Sequence, residues 1–312
     1  MCPATIELPH LGASIALTDG GLETTLVFLE GIDLPCFAAF PLLLDATGRD
    51  RLDSYFQRYL EIAERHGLSF VLDTPTWRAN PDWGERLGYS RAALSELNRR
   101  AVAQAQALRA AYVGRGMTVL VNGVVGPRGD GYRPDLMMTP VEAADYHSDQ
   151  IIAFRDAGAD MISAVTMNYP QEAVGIACAA MGAGLPSVIS FTVETDGRLP
   201  SGESLAEAIE IVDDETDGAP AYFMINCAHP SHFEGVLAEA GNWGHRLGGV
   251  RANASAKSHA ELDAATELDP GDSADLARRY RAIRDSFGQI KVLGGCCGTD
   301  HRHIAAICEA CL

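Results

Sequence analysis

TVLVNGVV, residues 118–125, is apolar at odd and even positions alike. A strand with one face in water alternates apolar and polar residues, because successive side chains point to opposite faces. A near-continuous apolar run of this length suits a strand buried on both faces, as in a parallel sheet covered by helices. Similar runs rich in Val, Ile and Phe lie on either side. SIALTD (14–19) and SFVLDT (69–74) precede it. DMISAV (160–165), SVISFTV (187–193), AYFMINC (221–227), LGGVRANAS (247–255) and IKVLGG (290–295) follow.

Between these runs lie helical stretches. ALSELNRRAVAQAQALRAAYVGRG (93–116) is rich in Ala and Leu and stops at glycines. PVEAADYHSDQIIAFRDAGAD (140–160) opens on Thr139 and Pro140, an N-cap and N1 pair. SLAEAIEIVDDE (204–215) and DSADLARRYRAIRDSFG (272–288) complete the set. Eight strands alternating with helices predict an α/β fold with a parallel sheet, and eight is the count of a closed, TIM-like (β/α)8 barrel. The rival is an open doubly wound sheet, whose first strand would run into G-x-G-x-x-G; the loop here reads TDGGLETTL. No linker, repeat or low-complexity stretch interrupts the pattern, so residues 1–312 read as one barrel domain.

The chain carries 42 acidic against 24 basic residues, a net charge of −18. That balance argues against nucleic acid and anionic membranes as partners. No run of about 18 apolar residues occurs, so no membrane span is expected. The first residues, MCPATIELPHLG, show neither a basic n-region nor a long apolar h-region, so no signal peptide is read and the expected location is the cytoplasm. In that reducing compartment, clustered cysteines read as metal ligands or catalytic groups.

Barrel chemistry sits where the strands end. AYFMINC ends in Cys227 and IKVLGG runs into Cys296 and Cys297, which puts three thiols on one rim. Glycines 294, 295 and 298 are expected to free the backbone so that adjacent thiols turn to a common point. Three thiolates round one centre make a zinc site with its fourth position open, as catalytic zinc keeps it. The competing reading makes Cys227 a small buried hydrophobe and Cys296–Cys297 a vicinal disulfide or an idle pair. Cys308 and Cys311 have metal-like spacing but no partner pair nearby, and read as helix packing; Cys2, Cys36 and Cys178 read as isolated thiols. Zn²⁺ with three thiolates carries a net charge of about −1, which makes it a poor Lewis acid for a carbonyl but a competent binder of a further thiol. Coordination deprotonates that thiol, which at a free pKa of about 8.5 would be only a few per cent ionised at neutral pH. Such a centre suits alkylation of a thiol.

These residues resemble the homocysteine S-methyltransferases, which include betaine-dependent enzymes and the homocysteine module of cobalamin-dependent methionine synthase. The matching stretches are TDGGLETTL (18–26), TPTWRAN (74–80), NGVVGPRGD (122–130), SFTVETDGRLPSGESLAEAI (190–209), INC (225–227) and GGCCGT (294–299), in family order over nearly the whole chain. The resemblance implies a (β/α) barrel and one zinc ion per chain on Cys227, Cys296 and Cys297. It implies a role in methionine biosynthesis, and a loop, Asp19-Gly20-Gly21, that holds the amino-acid part of homocysteine. Asp19 can accept from an ammonium while the glycines let backbone amides approach a carboxylate; its alternative role is helix N-cap. Glu23 is part of that cap or an acid behind the contact layer. Thr76 matches a substrate-side threonine, with a plain turn residue as its alternative. Asn253 matches an asparagine common at the seventh strand's end, although RANAS departs from the usual Tyr-Pro-Asn.

One departure bears on substrate. Where many members end the fourth strand in Glu-Thr, whose carboxylate binds the substrate ammonium, this chain has Val165-Thr166. Either Glu194 takes over or the acceptor is a thiol other than homocysteine. These 312 residues hold no cobalamin or folate module, so the resemblance implies a small cationic donor: S-methylmethionine, S-adenosylmethionine or betaine. Trp77 and Trp83 offer an aromatic wall for an onium group, with packing as the competing role. A rival zinc barrel enzyme would use His and carboxylate ligands. A closed structural zinc, with His229 or His301 in fourth place, would make the chain a binding or scaffold protein. The expected partners are thus a small-molecule thiol and a methyl donor, and a homo-oligomer is compatible with the sequence.

Overall fold

The structure, a computed structural model, describes residues 8, 12 and 14–312; Cys2 and most of MCPATIELPHLG lie outside the described residues. Eight parallel strands follow one another in chain order. They are β1 (Ala16–Leu17), β2 (Ser69–Asp73), β3 (Val119–Val125), β4 (Met161–Met167), β5 (Ser187–Phe191), β6 (Tyr222–Asn226), β7 (Leu247–Ala252) and β8 (Val292–Gly295). Seven of the eight quoted runs contain one of them whole, and β4 runs two residues past the end of DMISAV. Because β1 pairs with both β2 and β8, the sheet is a closed barrel and not an open doubly wound sheet.

The strands have two buried faces of different character. Outward residues such as Phe70, Leu72, Val121, Ile162 and Ile189 join the large core shared with the helices. Ala16, Val71, Leu120, Met161, Val188, Met224 and Val292 form a separate apolar layer inside the barrel. Two residues further along the same faces, at period two, the interior turns polar with Asp73, Asn122 and Ser163, all buried. The barrel is therefore oil-filled at its N-terminal end and polar towards its C-terminal mouth.

The helices start and stop where capping chemistry dictates. Pro140–Ala157 begins with a full capping box between Thr139 and Glu142 and ends at Gly158, whose φ is 81°. Arg91–Val113 starts two residues before the stretch read from composition, because the Ser90 side chain accepts from the Ala93 amide. Leu205–Thr216 and Ser273–Ser286 are capped by Ser204 and Asp272. Cys308 and Cys311 lie on the inner face of the last helix, His301–Cys311, and pack into the core as expected.

That last helix anchors the cysteine loop before it. Its N-cap, Asp300, accepts from the Arg302 amide at 2.9 Å and bonds His303 Nδ1 at 3.1 Å. Burial works to raise the Asp300 carboxyl, but hydrogen bonds from His303 and Arg302 outweigh it and hold the group well below the usual carboxylate range. A carboxyl depressed in the fold contributes stability that is complete above its unfolded pKa of about 4 and is lost as pH falls through the folded value. Asp300→Ala is expected to cost about 1–2 kcal/mol at neutral pH, with the gap to wild type narrowing below about pH 4. Urea unfolding at the two acidities measures both.

Candidate metal centre and cavity

The C-terminal ends of the strands open into a cavity of about 430 Å³. Its wall includes the loop Asp19 to Glu23, Thr76 to Arg78, Tyr132, Val165, Asn226 and the three cysteines Cys227, Cys296 and Cys297.

Cys227 directly follows β6 with φ 54°, in the left-handed region. For a residue with a Cβ that conformation costs on the order of 1–3 kcal/mol and persists only where neighbours over-determine it. Here its carbonyl accepts from Asn253 Nδ2 at 3.0 Å and Thr192 Oγ1 at 3.3 Å, and His259 Nε2 stands 2.7 Å away. The other His259 nitrogen faces Glu194 Oε1 at 3.0 Å. Tyr132 stacks on the His259 ring at 3.9 Å between centroids, and its hydroxyl lies 3.8 Å from Cys297 Sγ. Asn226 ties β6 to β4: its Oδ1 accepts from the Thr166 amide and its Nδ2 donates to the Thr166 hydroxyl, both at 2.9 Å. Thr166, also left-handed at φ 63°, is held there by that pair of bonds.

The β8 loop reaches the same point by a different route from the one the glycines suggest. Only Gly298, at φ 80°, uses the left-handed freedom. Gly294 is small because a Cβ would fall 1.9 Å from Thr18 Oγ1, and Gly21 because a Cβ would fall 2.6 Å from the Cys296 carbonyl. Close approach of the first and last strand loops, not rotation at each glycine, brings the thiols together.

The three sulfurs lie within 4.8 Å of one another. Cys227 and Cys296 are paired sulfur to sulfur, so the bonded pair is not the adjacent Cys296–Cys297; Cys297 Sγ stands 3.8 Å from Cys227 Sγ. Tetrahedral zinc with Zn–S bonds of about 2.3 Å separates its sulfurs by about 3.8 Å. The donor set therefore fits a zinc ion once Cys227 and Cys296 are reduced. Burial pushes the Cys297 thiol up to about 11, with the nearby Glu23 charge adding and the Tyr132 hydroxyl opposing. At neutral pH that thiol keeps its proton until a cation displaces it. Among the described residues no histidine joins the three sulfurs. His229 caps a helix through Ser231, and His301 is exposed at the start of the last helix.

Behind the thiols, a polar chain crosses the barrel. Arg251, on β7, bonds Asp19 Oδ1 at 2.6 Å and also Asp73 Oδ2. Asp73 accepts from Asn122 at 2.7 Å, Asn122 from Ser163 at 3.1 Å, and Tyr55 donates to Asp19 Oδ2 at 3.0 Å. Burial is the largest influence on the Asp19 carboxyl and raises it, against the Arg251 guanidinium and the Tyr55 hydroxyl. Asp19 is thus no helix cap; Gly21 takes that position, without a side-chain cap.

Of the residues read from the sequence, Asp19, Gly20, Gly21, Glu23 and Thr76 line the cavity, and so does Val165. Thr76 spends its hydroxyl on the Val124 carbonyl, at 2.8 Å. Glu194 and Asn253 stand outside the lining and support Cys227, Asn253 directly and Glu194 through His259. Trp77 and Trp83 are covered by the Arg78 guanidinium, at 4.7 and 4.0 Å from their ring centroids. Sequence reasoning missed Arg251, Asn226, Tyr132 and His259. Only Arg251 carried a local signal, a charge inside a run read as a buried strand.

With this geometry established, the chain can be set beside known proteins. A family model described as homocysteine S-methyltransferase matches residues 16–311. Homocysteine S-methyltransferase 4 of Zea mays is 25% identical, over 95% of this chain and 89% of its own. Two crystal structures of the homocysteine methyltransferase MmuM from Escherichia coli share the fold. The oxidized form has a TM-score of 0.73 at 21% identity, covering 94% of both chains. The metallated form has a TM-score of 0.71 at 21% identity, covering 95% of this chain and 96% of the other.

The Arg251 chain yields its own prediction. Arg251→Met leaves two buried carboxylates facing each other without a cation and is expected to cost about 3–5 kcal/mol, read as a shift of the urea midpoint at neutral pH.

Proposed function

The chain belongs to the homocysteine S-methyltransferase family, and from that premise we propose that this methyltransferase moves a methyl group from a small cationic donor to the thiol of homocysteine, with one zinc ion held by Cys227, Cys296 and Cys297. The observation that carries the proposal is the closeness of three cysteine sulfurs, within 4.8 Å, on the wall of the cavity that also receives the Asp19-Gly20-Gly21 loop. Bound there, zinc supplies a site that strips the proton from an incoming thiol while leaving its sulfur nucleophilic.

The chain's own residues do the rest. Asn253, Thr192 and His259 fix the Cys227 backbone, and Glu194 fixes His259; in this reading Asn253 and Glu194 position the centre and do not touch substrate. Arg251 and Tyr55 hold Asp19 at the mouth, where the loop meets the amino-acid end of the acceptor. Thr76 shapes the wall opposite. The substrate sulfur takes the methyl carbon, and the donor's carbon–sulfur or carbon–nitrogen bond breaks with its electron pair staying on the donor's sulfur or nitrogen, which thereby loses its positive charge. Because a thiolate and an onium lose charge together, a cavity poor in water favours the transition state over the separated ions. S-methylmethionine, S-adenosylmethionine and betaine all meet that description. Among the described residues no helix is long and apolar enough to cross a membrane, and we place the protein in the cytoplasm, acting as one barrel domain on small molecules alone. Val165 in the cavity wall favours a second reading, an acceptor thiol without an ammonium group.

Incubated under reducing conditions with zinc, homocysteine and each donor in turn, the protein is expected to form methionine with at least one of them, detected by mass spectrometry. Absence of any thioether with all three donors overturns the assignment. Cys227→Ser, Cys296→Ser or Cys297→Ser alone should remove most of the bound zinc and the activity. Full zinc content in the Cys296→Ser, Cys297→Ser double variant would refute the ligand set.

A further inference from the structure

Resting on the methyl-transfer reading above, we propose that Glu23 is the counter-charge for the acceptor's α-ammonium, so that the cavity selects an amino-acid thiol through residue 23. Of the other acids lining the cavity, Asp263 pairs with Arg133 at 3.5 Å and Glu267 is exposed to solvent, while the more buried ones are engaged. Asp19 and Asp73 share Arg251, and Asp19 also accepts from Tyr55. Asp130 accepts from the Tyr132 amide at 2.8 Å, and Asp269 holds Ser255 at 2.8 Å and Lys257 at 3.3 Å. Glu194, the sequence's candidate for this task, faces His259 and does not line the cavity. Glu23 lines it and is partly buried, yet among the described residues it has no cation within ion-pairing distance and no hydrogen bond from another residue.

Its own amide is the donor this carboxylate has, and a partly buried carboxylate so thinly satisfied is a costly arrangement unless a ligand completes it. The missing partner must donate hydrogen bonds. A primary ammonium brings three N–H groups, whereas the methylated centre of a sulfonium or quaternary ammonium donor brings none. Glu23 is thereby matched to the acceptor and not to the methyl donor. Its place fits: it sits on the first turn after the Asp19 loop, next to Thr24, whose hydroxyl accepts from the Gly298 amide of the cysteine loop at 3.1 Å. Burial raises the Glu23 carboxyl above its ordinary value, with its own amide and the Arg78 and Arg251 guanidiniums opposing; an ammonium beside it would add to that opposition. Val165, apolar and also in the cavity wall, offers an ammonium nothing. The carboxylate has moved from the fourth strand to the first helical turn.

The test compares homocysteine with 4-mercaptobutanoate, the same thiol without the amino group, by calorimetric binding to the reduced, zinc-loaded protein and by rate of methylation. Wild type should bind homocysteine roughly 10- to 100-fold more tightly, the range of a charged hydrogen-bonded pair. Glu23→Gln should erase that preference by weakening homocysteine alone. Glu23→Gln combined with Val165→Glu should regain it. Equal affinity of wild type for both thiols, equal weakening of both by Glu23→Gln, or a rise confined to the donor's KM overturns the role of Glu23 while leaving methyl transfer intact. Failure of wild type to bind or methylate either thiol refutes the underlying reading instead.

Discussion

One guanidinium lodged between two carboxylates governs how this barrel closes. Asp19 follows β1, Asp73 ends β2 and Arg251 lies on β7. β1 itself is only two residues long, so its ladder to β2 and β8 is brief. The ion triad spans that thin seam from the inside, reaching from β7 past β8 to β1 and β2. Burying three charges carries a desolvation penalty that their mutual attraction repays only with good geometry and further hydrogen bonds; Tyr55 and Asn122 supply those. The same triad sets the height of the Asp19 loop, and Gly21 in that loop lies against the Cys296 carbonyl. The cysteine cluster therefore inherits its position from an electrostatic clamp one layer below it.

The thiols show a second economy. Two strand ends, Thr166 and Cys227, leave the extended region for left-handed backbone. Each is held by side chains from another strand or loop, so local strain is exchanged for contacts of long sequence separation. Glu194, His259, Thr192 and Asn253 converge on one carbonyl oxygen, directly or in sequence, and Tyr132 extends the same stack to Cys297. A group of residues outside the cysteine cluster thus fixes the Cys227 backbone and with it the sulfur's direction, an arrangement that would suit a supporting layer round a metal site.

The strands and the cysteines were legible in the sequence for related reasons. Runs apolar at every position announce strands covered on both sides, and strand ends announce where chemistry gathers. The same feature hid the interior. Asp73, Asn122 and Ser163 sit in runs without visible alternation, so nothing local says which polar residue faces inward. Arg251 stood out as a charge inside a run read as a strand, but its partners lie 232 and 178 residues away. Glu194 was read as facing a ligand because its true partner, His259, is 65 residues distant in a stretch with no motif. The glycines were read as sources of freedom, where most serve proximity, a property that only the neighbouring chain reveals.

The Trp77–Arg78–Trp83 stack bears on what the cavity wall can offer a cation. Trp77 lines the cavity and Trp83 lies behind it, outside the lining. Arg78 lies over both rings, and Arg86 lies 4.5 Å from the Trp83 centroid as well. An aromatic face is therefore not free for a visiting cation, which would have to displace a tethered guanidinium whose local concentration it cannot match. Any discrimination among cations at this wall passes to the charges and the shape of the remaining space.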